Sequence, residues 1–477
     1  MKNVLEYLEN VKTNNLVIDK NGSINYQELK EMSKRIGSGL AKFVKNNDPV
    51  PIYMEKGISA LEVFMGALYA GGFYSLLNVG LPKMRLLQIV NVLDVDYIIT
   101  DNEHLEDAKI YFADKKIILY EDLIKEEINE KLLEDIRSKK VDLDPVYANF
   151  TSGSTGVPKG VIVGNRSIID FVDNFVDTFG IDETDVIANQ APFDFDVSVK
   201  DIYPALKTGA TLVIVPKELF TQPAALIDFL VDHKVTTMTW AVSALCLIST
   251  FHGLDYKVPS TVKRVMFSGE VMPMKHLKLW MDHLTKAMFV NLYGPTEITC
   301  NCTYHIIDRN REYEKIPVGK PFNNECVFLL NDNNELVTKD NVSGEICVRG
   351  TALALGYYKN KEQTEKAFVR NPLNDKYIEY IYRTGDLGYY INGELYFGGR
   401  KDFQIKHMGY RIELGEIENR INNIDGIMNC ACIYDTENSK IVLFYQGNID
   451  EVEILNKAKE KLTNYMVPNK VVKLDKL

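Results

Sequence analysis

The chain has 477 residues, carrying 66 acidic and 55 basic side chains for a net charge of −11. That length exceeds what a single hydrophobic core serves, so two or more domains are expected, and the acidic balance excludes broad binding along a phosphate backbone while leaving room for one nucleotide pocket. Charge interrupts the opening Met1-Lys2-Asn3-Val4-Leu5-Glu6-Tyr7 and no later apolar stretch could cross a bilayer, so a cytoplasmic protein with neither a membrane nor a nucleic acid partner is expected.

Along the chain, Tyr147-Ala148-Asn149-Phe150 and Val161-Ile162-Val163 read as strands enclosing Thr151-Ser152-Gly153-Ser154-Thr155-Gly156-Val157-Pro158-Lys159-Gly160. Hydroxyls, glycines and a lysine in such a loop suit a polyphosphate, because glycine frees the backbone to turn its N–H groups toward an anion and Lys159 adds a point charge. It is not a Walker site: Pro158 precedes the lysine where that motif would start a helix.

From about 186 to 293, short β-branched runs (Val186 to Ala191, Thr211 to Val215, Val235 to Thr239, Val262 to Phe267, Ala287 to Leu292) alternate with helical spacing such as Ala224 to Leu230. Repeated β-α units predict a mostly parallel sheet covered on both faces, with ligands at the strands' carboxyl ends. Asn291-Leu292-Tyr293-Gly294-Pro295-Thr296-Glu297 follows the last of these strands. Its aromatic ring can stack on a purine, its hydroxyl can bond phosphate, and its carboxylate can hold the magnesium that ATP brings.

After residue 320 the pattern changes to hairpins turning at Asp332-Asn333-Asn334 and Asn392-Gly393, which predicts a β-rich subdomain over about 320–400. Within it, Tyr382-Arg383-Thr384-Gly385-Asp386 sets an acid after a glycine turn, suited to accept two ribose hydroxyls. Beyond about 402, a helix around Leu414, Ile417 and Ile421, strands near Ile433 and over Ile441 to Tyr445, and a helix around 450–463 make an α+β tail. The seven cysteines are scattered and read as reduced packing residues; Cys300 with Cys302, and Cys430 with Cys432, share a face if those segments are strands.

These motifs, taken together and in order from about residue 24 to 468, resemble the adenylate-forming enzymes, in particular amino-acid adenylation domains of nonribosomal peptide synthetases and stand-alone D-alanine:carrier-protein ligases. Ile24 to Leu29 and Ala70 to Tyr74 fall where that family has structural motifs and carry no chemistry. The resemblance implies an α/β fold: a large N-terminal domain over 1–401, including the β-rich subdomain, and a small mobile α+β lid over 402–477. It implies ATP and Mg2+ as cofactors, activation of an acid as its adenylate, and transfer to the phosphopantetheine thiol of a carrier protein in trans, by a monomer. Thr151, Ser152, Ser154, Thr155 and Lys159 would guide pyrophosphate. Thr296 and Glu297 would fix the α-phosphate and the metal. Asn291 and Tyr293 would meet adenine, with Gly269 on its other face. Asp386 would take the ribose, Arg400 the ribose or phosphate, Asp402 would be the hinge, and Gly409 would line a tunnel for the phosphopantetheine arm.

By the same resemblance Asp196 would pair with a substrate α-ammonium, and Val197, Lys200, Thr239, Met266, Ser268, Leu292, Cys300 and Asn301 would line the side-chain pocket. That lining favours serine, cysteine, alanine or D-alanine, with Lys200 either snorkelling to water or meeting a substrate carboxylate. The family's final lysine should follow Tyr465-Met466-Val467-Pro468, but the sequence stops at Leu477 without it, so the chain as given is expected to bind ATP and acid yet adenylate slowly. An acyl- or aryl-CoA ligase and a non-catalytic nucleotide-binding protein are the alternative readings.

Overall fold

The computed structural model describes residues 2–152, 157–401, 403–436 and 438–474. Among them, a nine-stranded sheet holds Met288–Tyr293, Arg264–Ser268, Thr237–Ala241, Val186–Asn189, Thr211–Ile214 and Leu16–Asp19 as parallel neighbours, with antiparallel strands at both edges. A seven-stranded sheet sets Pro145–Thr151 parallel to Phe73–Leu76 and antiparallel to Lys159–Gly164. From Val186 to Tyr293 strands alternate with helices along the chain and pair in parallel, the mostly parallel architecture that the alternating pattern predicts.

Several strands begin about two residues later than the apolar runs suggest. Val235, Val262 and Ala287 are buried, but each donates its N–H to a preceding turn or helix end, at Leu230, Pro259 and Leu284 respectively. These residues seal helix or turn ends against the core, so their apolar side chains, two of them β-branched, serve packing outside the sheet ladder.

The antiparallel sheet that runs from Glu325–Leu330 to Glu394–Arg400 forms the β-rich part. Beyond it, the hairpin Gln404–His407/Tyr410–Glu413, the helix Leu414–Asn422 and the sheet Ile427–Asp435, Lys440–Gly447, Lys470–Lys473 share a hydrophobic cluster of their own, from Ile412 to Val471. Cys430 and Cys432 lie on one strand and are both buried, as expected. Cys300 and Cys302 are not on a strand, because Thr299 and Cys300 take φ of 51° and 82° and turn the chain. All seven cysteines are free.

Glu325 opens the β-rich sheet with a carboxylate accepting from the Ala352 N–H at 2.8 Å, and burial pushes its pKa up to about 8. The unfolded chain loses that proton near the ordinary value whereas the fold keeps it, so stability falls as pH rises from about 4.5 to 8. Glu325→Gln is expected to flatten that slope and to raise stability at pH 8 by about 1–3 kcal/mol, measured by denaturant melts at pH 5 and 8. Equal pH slopes in the two proteins would contradict it.

Candidate active site

The C-terminal hairpin meets residues at or just after the carboxyl ends of Pro145–Thr151, Arg264–Ser268, Met288–Tyr293 and Thr237–Ala241. Thr151, Ser152, Asp196, Thr296, Tyr410 and Arg411 border one narrow cavity of about 40 Å3 there. A larger cavity of about 320 Å3 lies beyond Asp194 and Tyr410, lined by side chains that include Lys20, Glu55 and Lys56; it gathers none of the residues expected to bind nucleotide or substrate.

At the phosphate corner, Lys159 pairs in register with Thr151 across the hairpin, its ammonium 5.7 Å from the Tyr357 ring centre. Gly153, Ser154, Thr155 and Gly156 lie outside the described residues, as does Asp402. Glu297 sits on a single 3-10 turn after Pro295 and is 1% exposed. Burial alone would raise its pKa. The Arg411 guanidinium, at 2.7 and 3.0 Å from its two oxygens, and the Tyr357 hydroxyl at 2.7 Å outweigh that and hold it below the usual carboxylate range. Arg411 comes from the C-terminal hairpin, and the Arg411 carbonyl accepts from Ser152 Oγ at 2.9 Å. The same region is anchored by Arg85, which donates to both Glu416 and the Thr151 carbonyl.

Asp386 and Arg400 are cross-strand partners in the antiparallel Tyr380–Ile391/Glu394–Arg400 pair, and their side chains meet at 2.8 Å. The other Asp386 oxygen accepts from the Tyr293 hydroxyl at 2.6 Å. Thus the acid, the aromatic ring and the guanidinium read from separate motifs form one cluster, with Lys406 5.7 Å from the Tyr293 ring centre. Asn291 donates to the Pro317 carbonyl. Gly269 faces the hairpin tip: a Cβ there would lie 4.0 Å from Gly409, and one on Gly409 would come within 3.2 Å of Ala241. Both glycines have positive φ, at 95° and 80°, a conformation that side chains rarely adopt, and at Gly409 the space is tight as well. Glu270 accepts from the Ser243 and Gly409 N–H groups, tying the tip to the strand end.

Asp196 opens the short turn before helix Val199–Thr208 and is 8% exposed; burial raises its pKa against the charge of Lys200 and a Thr296 hydrogen bond. Register sets Thr239 opposite Met266, and Ala241 opposite Ser268, while Met266 faces Val290; alternation therefore puts Thr239, Met266, Ser268 and Leu292 on one sheet face. Lys200 reaches that face: its ammonium donates to Ser268 Oγ at 2.9 Å and Asn301 Oδ1 at 2.8 Å. It is 1% exposed, so it does not snorkel to water. Cys300 Sγ donates to the Asp196 carbonyl, and Val197 is half-buried beside it. Sequence reasoning assigned no role to Arg411 or Tyr357. The Gly409-Tyr410-Arg411 run hinted at Arg411, but its partner lies 114 residues away in the chain.

Acids, hydroxyls and cations thus gather at strand ends, where sheets of this kind bind their ligands. Residues 8–358 match the family model described as AMP-binding enzyme, and the chain belongs to that family, whose ligases use ATP. It is similar to the D-alanine–D-alanyl carrier protein ligase of Bacillus velezensis, 31% identical over 479 residues that cover 95% of this chain and 91% of that protein. Zwittermicin A synthase ZmaJ of Bacillus cereus is 32% identical over 477 residues, covering 97% of this chain and 88% of its own. In fold, the chain resembles the Vibrio cholerae adenylation domain AlmE in complex with glycyl-adenosine-5'-phosphate, with a TM-score of 0.85 at 22% identity over 99% of this chain and 94% of that one. Among the described residues, no helix is long and apolar enough to cross a membrane.

Proposed function

We propose that this chain activates an amino acid with ATP as its aminoacyl adenylate, releasing pyrophosphate, and passes the acyl group to the phosphopantetheine thiol of a separate carrier protein. The observation that carries this reading is Asp196, a buried carboxylate bordering the same cavity as Thr151, Ser152 and Thr296. A buried charge calls for a charged partner, and a substrate ammonium supplies one while its carboxylate faces the α-phosphate position.

The carboxylate oxygen attacks the α-phosphorus as the bond to the β-phosphate breaks, so no protein nucleophile is needed. Proximity and charge do the work. Asp386, held by Arg400 and Tyr293, receives the ribose hydroxyls; the Tyr293 ring, Asn291 and the Gly269 backbone receive adenine. Lys159, Thr151 and Ser152, with Ser154 and Thr155, steer pyrophosphate. Thr296 meets the α-phosphate. Glu297 fits magnesium, which takes one or two carboxylates with phosphates and water, and the described residues hold no cluster of three or more acids, histidines or cysteines that would cage a metal instead. When bound, magnesium neutralises phosphate charge.

Glu297 cannot serve magnesium while it pairs with Arg411. A conformation in which Arg411 holds Glu297 would serve thiol transfer, the step that follows release of pyrophosphate, with the Gly409 tip lining the thiol's path. Residues 402–477 would move as a lid about Asp402, supported by their separate core. Alanine of either hand, serine and cysteine fit the short pocket. The test is ATP–pyrophosphate exchange by the full-length protein with all amino acids of both hands and with fatty and aryl acids. Short amino acids should drive it; exchange driven by aryl or fatty acids alone would overturn the reading.

A further inference from the structure

The pocket wall includes a buried cation. Lys200 is buried, and both acceptors of its ammonium, Ser268 and Asn301, are neutral. Among the described residues it makes no ion pair within 4 Å; the buried Asp196 and Asp201 carboxylates both feel its charge, but Asp196 is engaged by Thr296 and assigned to the substrate amine, and Asp201 accepts from Asn189. An ammonium offers three donors, so one remains. On the same sheet face the Thr239 hydroxyl is fully buried and has no hydrogen-bond partner among the described residues. Native interiors rarely leave such a group unsatisfied without a ligand or function to meet it.

We infer that the side chain of the activated amino acid is short and acidic, of aspartate size, its carboxylate accepting from Lys200 and from the Thr239 hydroxyl. This rests on the amino-acid reading and replaces alanine, serine and cysteine with aspartate as the favoured substrate. The charges then close: the substrate ammonium meets Asp196, its side-chain carboxylate meets Lys200, and its reacting carboxylate faces phosphate. A methyl group would give Lys200 no hydrogen-bonded counter-charge, and a serine hydroxyl would supply a hydrogen bond but no charge. The apolar Met266 and Leu292 beside Thr239, with buried Cys300, leave little depth for a longer chain.

The experiment measures binding of sulfamoyl-adenosine conjugates of aspartate, asparagine, alanine and serine, in both hands, to the full-length protein by calorimetry. Asparagine is isosteric with aspartate but uncharged. One aspartyl conjugate is expected to bind about 10- to 100-fold tighter than its asparaginyl counterpart, the loss typical of a charge-assisted hydrogen bond. Lys200→Met should erase that preference and improve the alanyl conjugate. The wild-type comparison alone is decisive if that variant folds poorly. Asparaginyl or alanyl conjugates binding as tightly as aspartyl would overturn the inference and leave amino-acid activation standing. Binding of none of the aminoacyl conjugates would overturn both.

Discussion

Asp196→Asn is expected to lower kcat/KM for the amino acid in ATP–pyrophosphate exchange by about 10²- to 10³-fold, while the KM for ATP stays within about twofold. The figure follows from leaving a substrate ammonium buried without its counter-charge, which costs about 3–5 kcal/mol. Asparagine keeps the shape, so only the charge is lost. The unliganded variant should melt no lower than the parent protein, because burial already makes the Asp196 charge costly and raises its pKa. A large drop in melting temperature, or equal loss of ATP and amino-acid affinity, would show that Asp196 supports the fold instead of the substrate.

The second large effect separates the two half-reactions. Arg411→Met should leave exchange at or above the parental rate, because magnesium then has no competitor at Glu297. Transfer to the carrier thiol should fall by about 10- to 100-fold, since the C-terminal hairpin loses its bidentate hold on a carboxylate that is 1% exposed. Glu297→Gln should do the reverse at the first step, cutting exchange by about 10²- to 10³-fold. Single-turnover assays of adenylate formation and of carrier loading distinguish the two. Loss of both activities in Arg411→Met would mean that the hairpin is needed in adenylation as well.

Much of the site could be read from the sequence because its parts are local. Tyr293, Thr296 and Glu297 follow one strand within a few residues, and Asp386 and Arg400 sit in a recognisable hairpin whose register brings them face to face. What escaped was long-range or conformational. The Arg411–Glu297 pair joins segments that no local pattern links, and the left-handed turn at Thr299 and Cys300 lies in a β-branched, apolar stretch that reads as strand. Burial of Lys200 depends on Ser268 and Asn301 approaching from distant elements. Val186 and Thr211 start their strands as the pattern indicates, whereas three other strands start later because buried Val235, Val262 and Ala287 satisfy their N–H groups in the preceding turns.

The most direct test is a crystal structure of the full-length protein with a bound aminoacyl sulfamoyl-adenosine. The account predicts ribose hydroxyls on Asp386, the adenine beside Tyr293 and Gly269, the sulfamoyl group near Thr296, and the amine within hydrogen-bond reach of Asp196. Density for the compound anywhere else, with the Asp196–Thr296 cleft left empty, would contradict it.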